Sequence, residues 1–228
     1  VHTDKFKSAY LSLTLLTPLD RETAGANALV PYVLRRGTAA HPDMESLSAA
    51  LDELYGGAVE SAVRKKGETQ AVGFVASFLD DAFAPGQTRI LEDAAQLLGD
   101  LFLRPATEKG GFRSDYVEGE RANLIDRIQA QQGIVYAPQQ RQAVELAARR
   151  QVMLLTGGPG TGKTTCLRGV LSLFEAMGLE TALAAPTGRA AKRLGELCDT
   201  EASTIHRLLE TGFDPHTGRL VFTHNAYD

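Results

Sequence analysis

A chain of 228 residues with 43% hydrophobic and 23% charged side chains has the balance of one or two packed domains and not of a disordered polymer. It holds no apolar run long enough to span a bilayer and opens Val1-His2-Thr3-Asp4-Lys5 rather than with a basic stretch leading into an apolar one, so a cytoplasmic protein without membrane contact is expected. Two cysteines, Cys166 and Cys198, exclude a disulfide scaffold and a metal-knuckle spacing, and the net charge of -4 gives no overall reason to expect a nucleic-acid partner.

The alternation in Tyr10 to Leu16 predicts a strand, after which Pro18 and Asp20 introduce a helix ending near Gly37, with a kink at Pro31. A second helix fits Asp43 to Tyr55. Val59 to Arg64 and Ala71 to Phe78 read as a hairpin about Lys65-Lys66-Gly67-Glu68. Helices fit Thr88 to Leu103 and Glu108 to about Ala130. Strands and helices do not strictly alternate here, which is an α+β order. From Gln131 the texture changes: a short helix opened by Pro138, an apolar strand Val152 to Thr156, a glycine-rich turn, a helix to about Met177, a strand Thr181 to Ala185 and a helix to about Leu197. That β, loop, α, β, α order implies parallel strands with right-handed crossovers. The expected fold is therefore α/β overall, a partial α+β domain over 1–131 followed by a partial parallel-sheet domain over 132–228. Charge divides the same way. Residues 1–130 carry 14 Lys and Arg against 19 Asp and Glu, and the remainder 10 against 9. The second part permits phosphate contacts without establishing them.

Gly157-Gly158-Pro159-Gly160-Thr161-Gly162-Lys163-Thr164 fits the G-x-x-x-x-G-K-[ST] pattern of a phosphate-binding loop. Glycines let several backbone N–H groups turn toward one phosphate, and the following helix adds the positive end of its dipole. Lys163 reaches the β- and γ-phosphates as a point charge, and the Thr164 hydroxyl ligates magnesium. The bland alternative is a glycine-rich turn with one solvated lysine. The apolar strand before the loop and the apolar-faced helix after it (Leu167, Val170, Leu171, Phe174) favour the site, which predicts binding of ATP with Mg2+.

Four blocks in order resemble the opening motor motifs of RecD-like superfamily 1 DNA helicases. They are Tyr136 to Val144, Leu154 to Thr165, Ala184 to Leu194 and Ser203 to Leu209. The resemblance implies a RecA-like domain in which Gln140 reads the adenine edge and Thr165 follows the lysine and threonine into the nucleotide site. It also implies that Pro186, Thr187, Gly188 and Arg189, with Thr204 and His206, touch single-stranded DNA. Other readings stand beside these: Gln140 as an exposed helix residue, Arg189, Lys192 and Arg193 as a solvated face, and Thr204 as a helix cap. The family's acidic Asp-Glu pair, later glutamine, arginine fingers and second motor domain do not occur in these residues, so ATP binding without unwinding by this chain alone is expected.

The first part resembles the N-terminal region of pitrilysin-like (insulinase-like) peptidases, through Leu29 to Thr38 and through Leu51 to Gly57 with the hairpin after it. Active members carry H-x-x-E-H on the first helix, where two His bind zinc. The corresponding positions are Ala28, Pro31 and Tyr32, so the resemblance implies a non-catalytic homologue without zinc. His41 reads as a loop residue before Pro42. Two further functional classes remain open: a scaffold whose protein partner binds through the N-terminal region, and a nucleotide-dependent switch.

Overall fold

The computed structural model describes residues 5–20, 22–86, 89–150, 152–213 and 220–222, the backbone alone for 211–213 and 220–222. The architecture is α/β, in two compact units: 1–135 with 173–179, and 136–172 with 180–228.

In the first unit, β1 (Ser8–Pro18), α1 (Ala24–Leu34), α2 (Met44–Glu53), β2 (Ala58–Lys66) and β3 (Thr69–Leu79) follow one another, and a 3-10 turn (Asp81–Phe83) leads to α3 (Ile90–Leu103). The strands form one antiparallel sheet in the order β1-β3-β2, with Leu13 opposite Phe74 and Val63 opposite Val72. Alternation on β3 turns Phe74, Ala76 and Phe78 into the core, where α3 meets them with Ile90, Ala94, Leu97, Leu98 and Leu101. That 3–4 spacing is the apolar stripe of a helix packed on one side. Phe74 is fully buried and meets Phe102 edge-on at 5.0 Å between centroids. Helix α2 starts where it does because the Asp43 carboxylate accepts from the Ser46 N–H at 2.8 Å, which also holds that carboxyl below its ordinary value. Gln70, buried in this unit, donates to the carbonyls of Ala24 at 2.9 Å and Met177 at 3.1 Å.

The expected helix from Glu108 is instead a two-residue hairpin, β4 (Thr107–Glu108) with β5 (Gly111–Phe112), followed by α4 (Ser114–Gln132). Gly110-Gly111 is a poor helical stretch, and the chain turns there.

The second unit contains α5 (Pro138–Arg149), most of α6 (Lys163–Ala176), β6 (Leu183–Ala185), α7 (Gly188–Cys198), β7 (Ala202–Thr204), α8 (Ile205–Leu208) and a small hairpin of β8 (Thr211–Phe213) and β9 (Leu220–Phe222). β6 and β7 pair in parallel, Ala185 opposite Thr204. The expected strand Val152 to Thr156 is not formed: residues 152–158 make no ladder, and Val152 and Leu154 are each 87% exposed. A continuous apolar run becomes a parallel strand only when neighbours cover its edges and faces. Among the described residues the one parallel pairing is β6 with β7, and it leaves this run without a partner.

Phe74→Ala should lower the stability of the first unit by about 3–5 kcal/mol, because it removes a ring from a filled core. Urea unfolding followed by far-UV circular dichroism measures it.

Candidate nucleotide and nucleic-acid site

Helix α5 starts at Pro138, whose fixed φ suits a first helical position, and buries Ala143, Val144 and Ala147. Just before it, Tyr136 is buried with its hydroxyl over α6. A Cβ at Gly169 would lie 2.3 Å from that hydroxyl and 3.0 Å from Val144 Cγ2, so glycine is what lets the two helices approach. Helix α6 buries Val170 of the expected face together with Cys166 and Leu173, while Leu167, Leu171 and Phe174 of that face are half-buried. The pattern alone does not decide between two such adjacent stripes.

The first helical bond of α6 runs from the Cys166 N–H to the Gly162 carbonyl at 3.0 Å. Helix geometry gives the N–H groups of Lys163, Thr164 and Thr165 no acceptor one turn earlier, and it concentrates partial positive charge there. The loop folds over this end. Lys163 Nζ donates to the carbonyls of Gly157 at 2.7 Å and Gly158 at 2.5 Å, and Thr161 Oγ1 donates to the Gly158 carbonyl at 2.9 Å. Gly157, Gly158, Pro159, Gly160 and Thr161 are exposed, while Gly162, Lys163, Thr164 and Thr165 are half-buried at the start of the helix.

Gln140 ties this loop to α5. Its Oε1 accepts from the Ala137 N–H at 2.9 Å, and its Nε2 donates to the Thr161 carbonyl at 3.3 Å. It is half-buried rather than a free surface residue. Gly162 sits at φ +80°, a conformation that strains any residue with a side chain, and a Cβ there would fall 2.2 Å from Gln140 Nε2 and push that amide aside. Each amide atom retains capacity, a second hydrogen on Nε2 and a second lone pair on Oε1. These residues fit a polyphosphate: helix-start N–H groups without an intrahelical acceptor, an ammonium on the loop, and a hydroxyl (Thr164) on the first helical turn suited to a hard cation.

A second group gathers at the C-terminal edge of the β6–β7 pair. Pro186, Thr187, Gly188 and Arg189 leave β6 and open α7, exposed throughout, and Thr187 Oγ1 accepts from the Ala190 N–H at 3.3 Å. Beside them, Thr204 ends β7 and caps α8, accepting from the Arg207 N–H at 3.2 Å, with His206 exposed on that helix. Both threonines are caps, Thr204 as its alternative reading has it, and the parallel register sets Thr204 opposite Ala185 at the start of the Pro186-Thr187 turn, which spacing alone did not reveal. Arg189, Lys192 and Arg193 are exposed on the first turns of α7, where the helix dipole disfavours cations. An anion at that edge relieves this repulsion.

In the first unit, Ala28 and Pro31 are buried, and Tyr32 lines a cleft of about 510 Å³ together with Arg36, Glu120 and Arg127. The Arg127 guanidinium lies 4.5 Å from the Tyr32 ring centroid, and Arg36 Nε meets Glu120 Oε1 at 2.6 Å. These three α1 positions offer neither imidazole nor carboxylate. Among the described residues no three His, Cys, Asp or Glu side chains cluster as metal ligands, and no helix is long and apolar enough to cross a membrane.

A family model described as an AAA domain matches residues 140–225. The chain is 41% identical over 130 residues to a "Probable inactive metalloprotease YmfF" of Bacillus subtilis, an alignment of 57% of this chain and 30% of that protein. It is 35% identical over 156 residues to the "ATP-dependent RecD2 DNA helicase" of Deinococcus radiodurans, covering 65% of this chain and 19% of that one. A "RecBCD enzyme subunit RecD" of Mycobacterium tuberculosis is 44% identical over 94 residues, 31% of this chain and 16% of its own length. A crystal structure of a conserved protein from Enterococcus faecalis V583 shares the fold, with a TM-score of 0.52 at 18% identity, covering 89% of this chain and 49% of that one. The chain therefore carries a two-part resemblance, and it spans less than a third of each of these three sequence relatives. Its second part is a P-loop NTPase-like, helicase-like region.

Burial pushes the thiols of Cys166 and Cys198 above their ordinary value. The fold thus favours the neutral thiol, a contribution to stability present below the unfolded value and lost as pH rises through the folded one. At about pH 8 both should react with an aromatic disulfide reagent more slowly in the native chain than after denaturation, and equal rates would contradict their burial.

Proposed function

We propose that residues 132–228 are the ATP-binding opening of a RecD-like DNA helicase motor, joined to a zinc-less pitrilysin-like region over 1–131. The supporting observation is the Gly157 to Thr164 loop folded over the start of α6, with Lys163 at its mouth and Gln140 tied to Thr161. Lys163 exchanges its two carbonyl partners for β- and γ-phosphate oxygens, and the N–H groups of Lys163, Thr164 and Thr165 donate to the same anion. Gly157 to Gly162 keep the backbone close enough to enclose it. Bound Mg2+ supplies charge neutralisation between those phosphates, with the Thr164 hydroxyl as its protein ligand. Gln140 uses its second hydrogen and second lone pair on the adenine edge.

Single-stranded DNA is the second ligand in this reading. It runs along the C-terminal edge of β6 and β7, where Pro186, Thr187, Gly188 and Arg189 lie beside Thr204 and His206 and where open α/β sheets place their ligands. Contacts there are to the backbone and carry no sequence preference. In this reading the residues of the second part bind ATP and single-stranded DNA at neighbouring edges of the same unit. A non-catalytic scaffold is the second reading, favoured by Ala28, Pro31 and Tyr32 at the peptidase positions and by the 41% identity to the probable inactive metalloprotease of Bacillus subtilis.

Lys163→Ala should abolish the calorimetric signal for ATP with Mg2+ while leaving the circular dichroism spectrum unchanged. Nucleotide affinity that rises when an oligothymidylate is added supports the motor reading, binding without coupling supports a switch, and no binding to either ligand supports the scaffold.

A further inference from the structure

The antiparallel sheet of the first unit ends in two edges of unlike chemistry. β2 carries Glu60, Arg64, Lys65 and Lys66 within nine residues, charges of the kind that keep an edge from pairing with other chains. β1 carries no charged residue in eleven, its register with β3 is continuous, and it has no bulge. On one face of this strand Tyr10 is 71% exposed and Leu16 73%, with Ser12 and Thr14 exposed between them.

Backbone alternation identifies the groups on that edge. The Lys7 carbonyl accepts from the Asp80 N–H, and the Leu19 N–H donates to the Glu68 carbonyl, so the odd-numbered residues turn toward β3. The N–H and C=O groups of Tyr10, Ser12, Thr14 and Leu16 then face outward. Among the described residues no strand pairs with them.

We propose that β1 pairs antiparallel with β1 of a second copy of this chain, about a two-fold axis at Leu13, joining the two sheets into one. An axis on a residue sets outward groups against outward groups, whereas an axis between residues opposes outward to inward ones and leaves the ladder unmade. Leu13 is the centre of Ser8–Pro18, so this axis uses the whole strand. It also makes the exposed row self-complementary. Tyr10 meets Leu16 at both flanks, Ser12 meets Thr14 on both sides of the centre, and no like charges face each other. An uncharged row offers no handle to an acidic or basic partner, while a second copy supplies the matching row by symmetry. The contact is independent of the nucleotide site.

Sedimentation equilibrium of the full chain, from low to high micromolar concentration, should show reversible growth from 24.5 kDa to twice that mass. Ser12→Lys with Thr14→Lys puts lysine opposite lysine at both central pairs, at exposed positions that the fold does not need, and should weaken association at least about tenfold. An equal mixture with the Ser12→Glu, Thr14→Glu variant should restore the dimer mass, because the same axis then sets lysine against glutamate. A monomer throughout the range, a lysine variant that associates like the unaltered chain, or a mixture that stays monomeric each overturns the proposal.

Discussion

Helix α6 opens with amide groups that its own turns cannot satisfy, and side-chain bonds hold the loop before it in shape. Lys163 reaches back to the carbonyls of Gly157 and Gly158, Thr161 braces the same turn, and Gln140 holds the Thr161 carbonyl from α5. Below them, Tyr136 and Val144 lie against Gly169 and fix α5 on α6. The loop is thus held by side chains, each such bond contributing about 1 kcal/mol net. No strand ladder stiffens the 152–158 segment that leads into it. A polyanion that brings several acceptors at once can displace bonds of that strength, which is the exchange the proposed function asks of Lys163.

Much of this was legible in the sequence, for physical reasons that differ between elements. The hairpin of β2 and β3 and the helices α3, α5 and α7 follow from local periodicity, turn residues and Pro138, so the pattern reveals them. The run Val152 to Thr156 has the composition of a buried strand, but a strand is a property of its neighbours, and no local pattern supplies those. The β4–β5 turn hid inside an otherwise helical reading, although Gly110-Gly111 marked it. The four motif blocks identified the candidate site residues. What they did not convey was the register of β6 on β7, which sets Thr204 beside the Pro186-Thr187 turn, or the double engagement of the Gln140 amide. Both are long-range facts that spacing along the chain cannot encode.

The two parts pose the same problem in different forms. In the second unit, apolar side chains at 152 and 154 stand exposed ahead of the loop; in the first, an uncharged edge strand presents Tyr10 and Leu16. Neither surface is guarded as the β2 edge is, by Glu60, Arg64, Lys65 and Lys66. The resemblances divide accordingly, one to an inactive metalloprotease and the other to RecD-type helicases, each alignment covering a fraction of the relative. The chemistry assigned to each part rests on residues within it: Ala28, Pro31 and Tyr32 in the first, Gly157 to Thr165 with Gln140 in the second.

Enclosure of a triphosphate by the backbone amides at the start of α6 is the claim on which the functional account depends. Two-dimensional amide NMR during titration with ATP and Mg2+ addresses it residue by residue. The account predicts that the backbone signals of Gly158 and of Gly160 to Thr165 and the side-chain amide of Gln140 move together and saturate, while signals from the β1–β3 sheet stay still. Saturating nucleotide that leaves the loop signals in place, or that shifts only residues elsewhere in the chain, would contradict it.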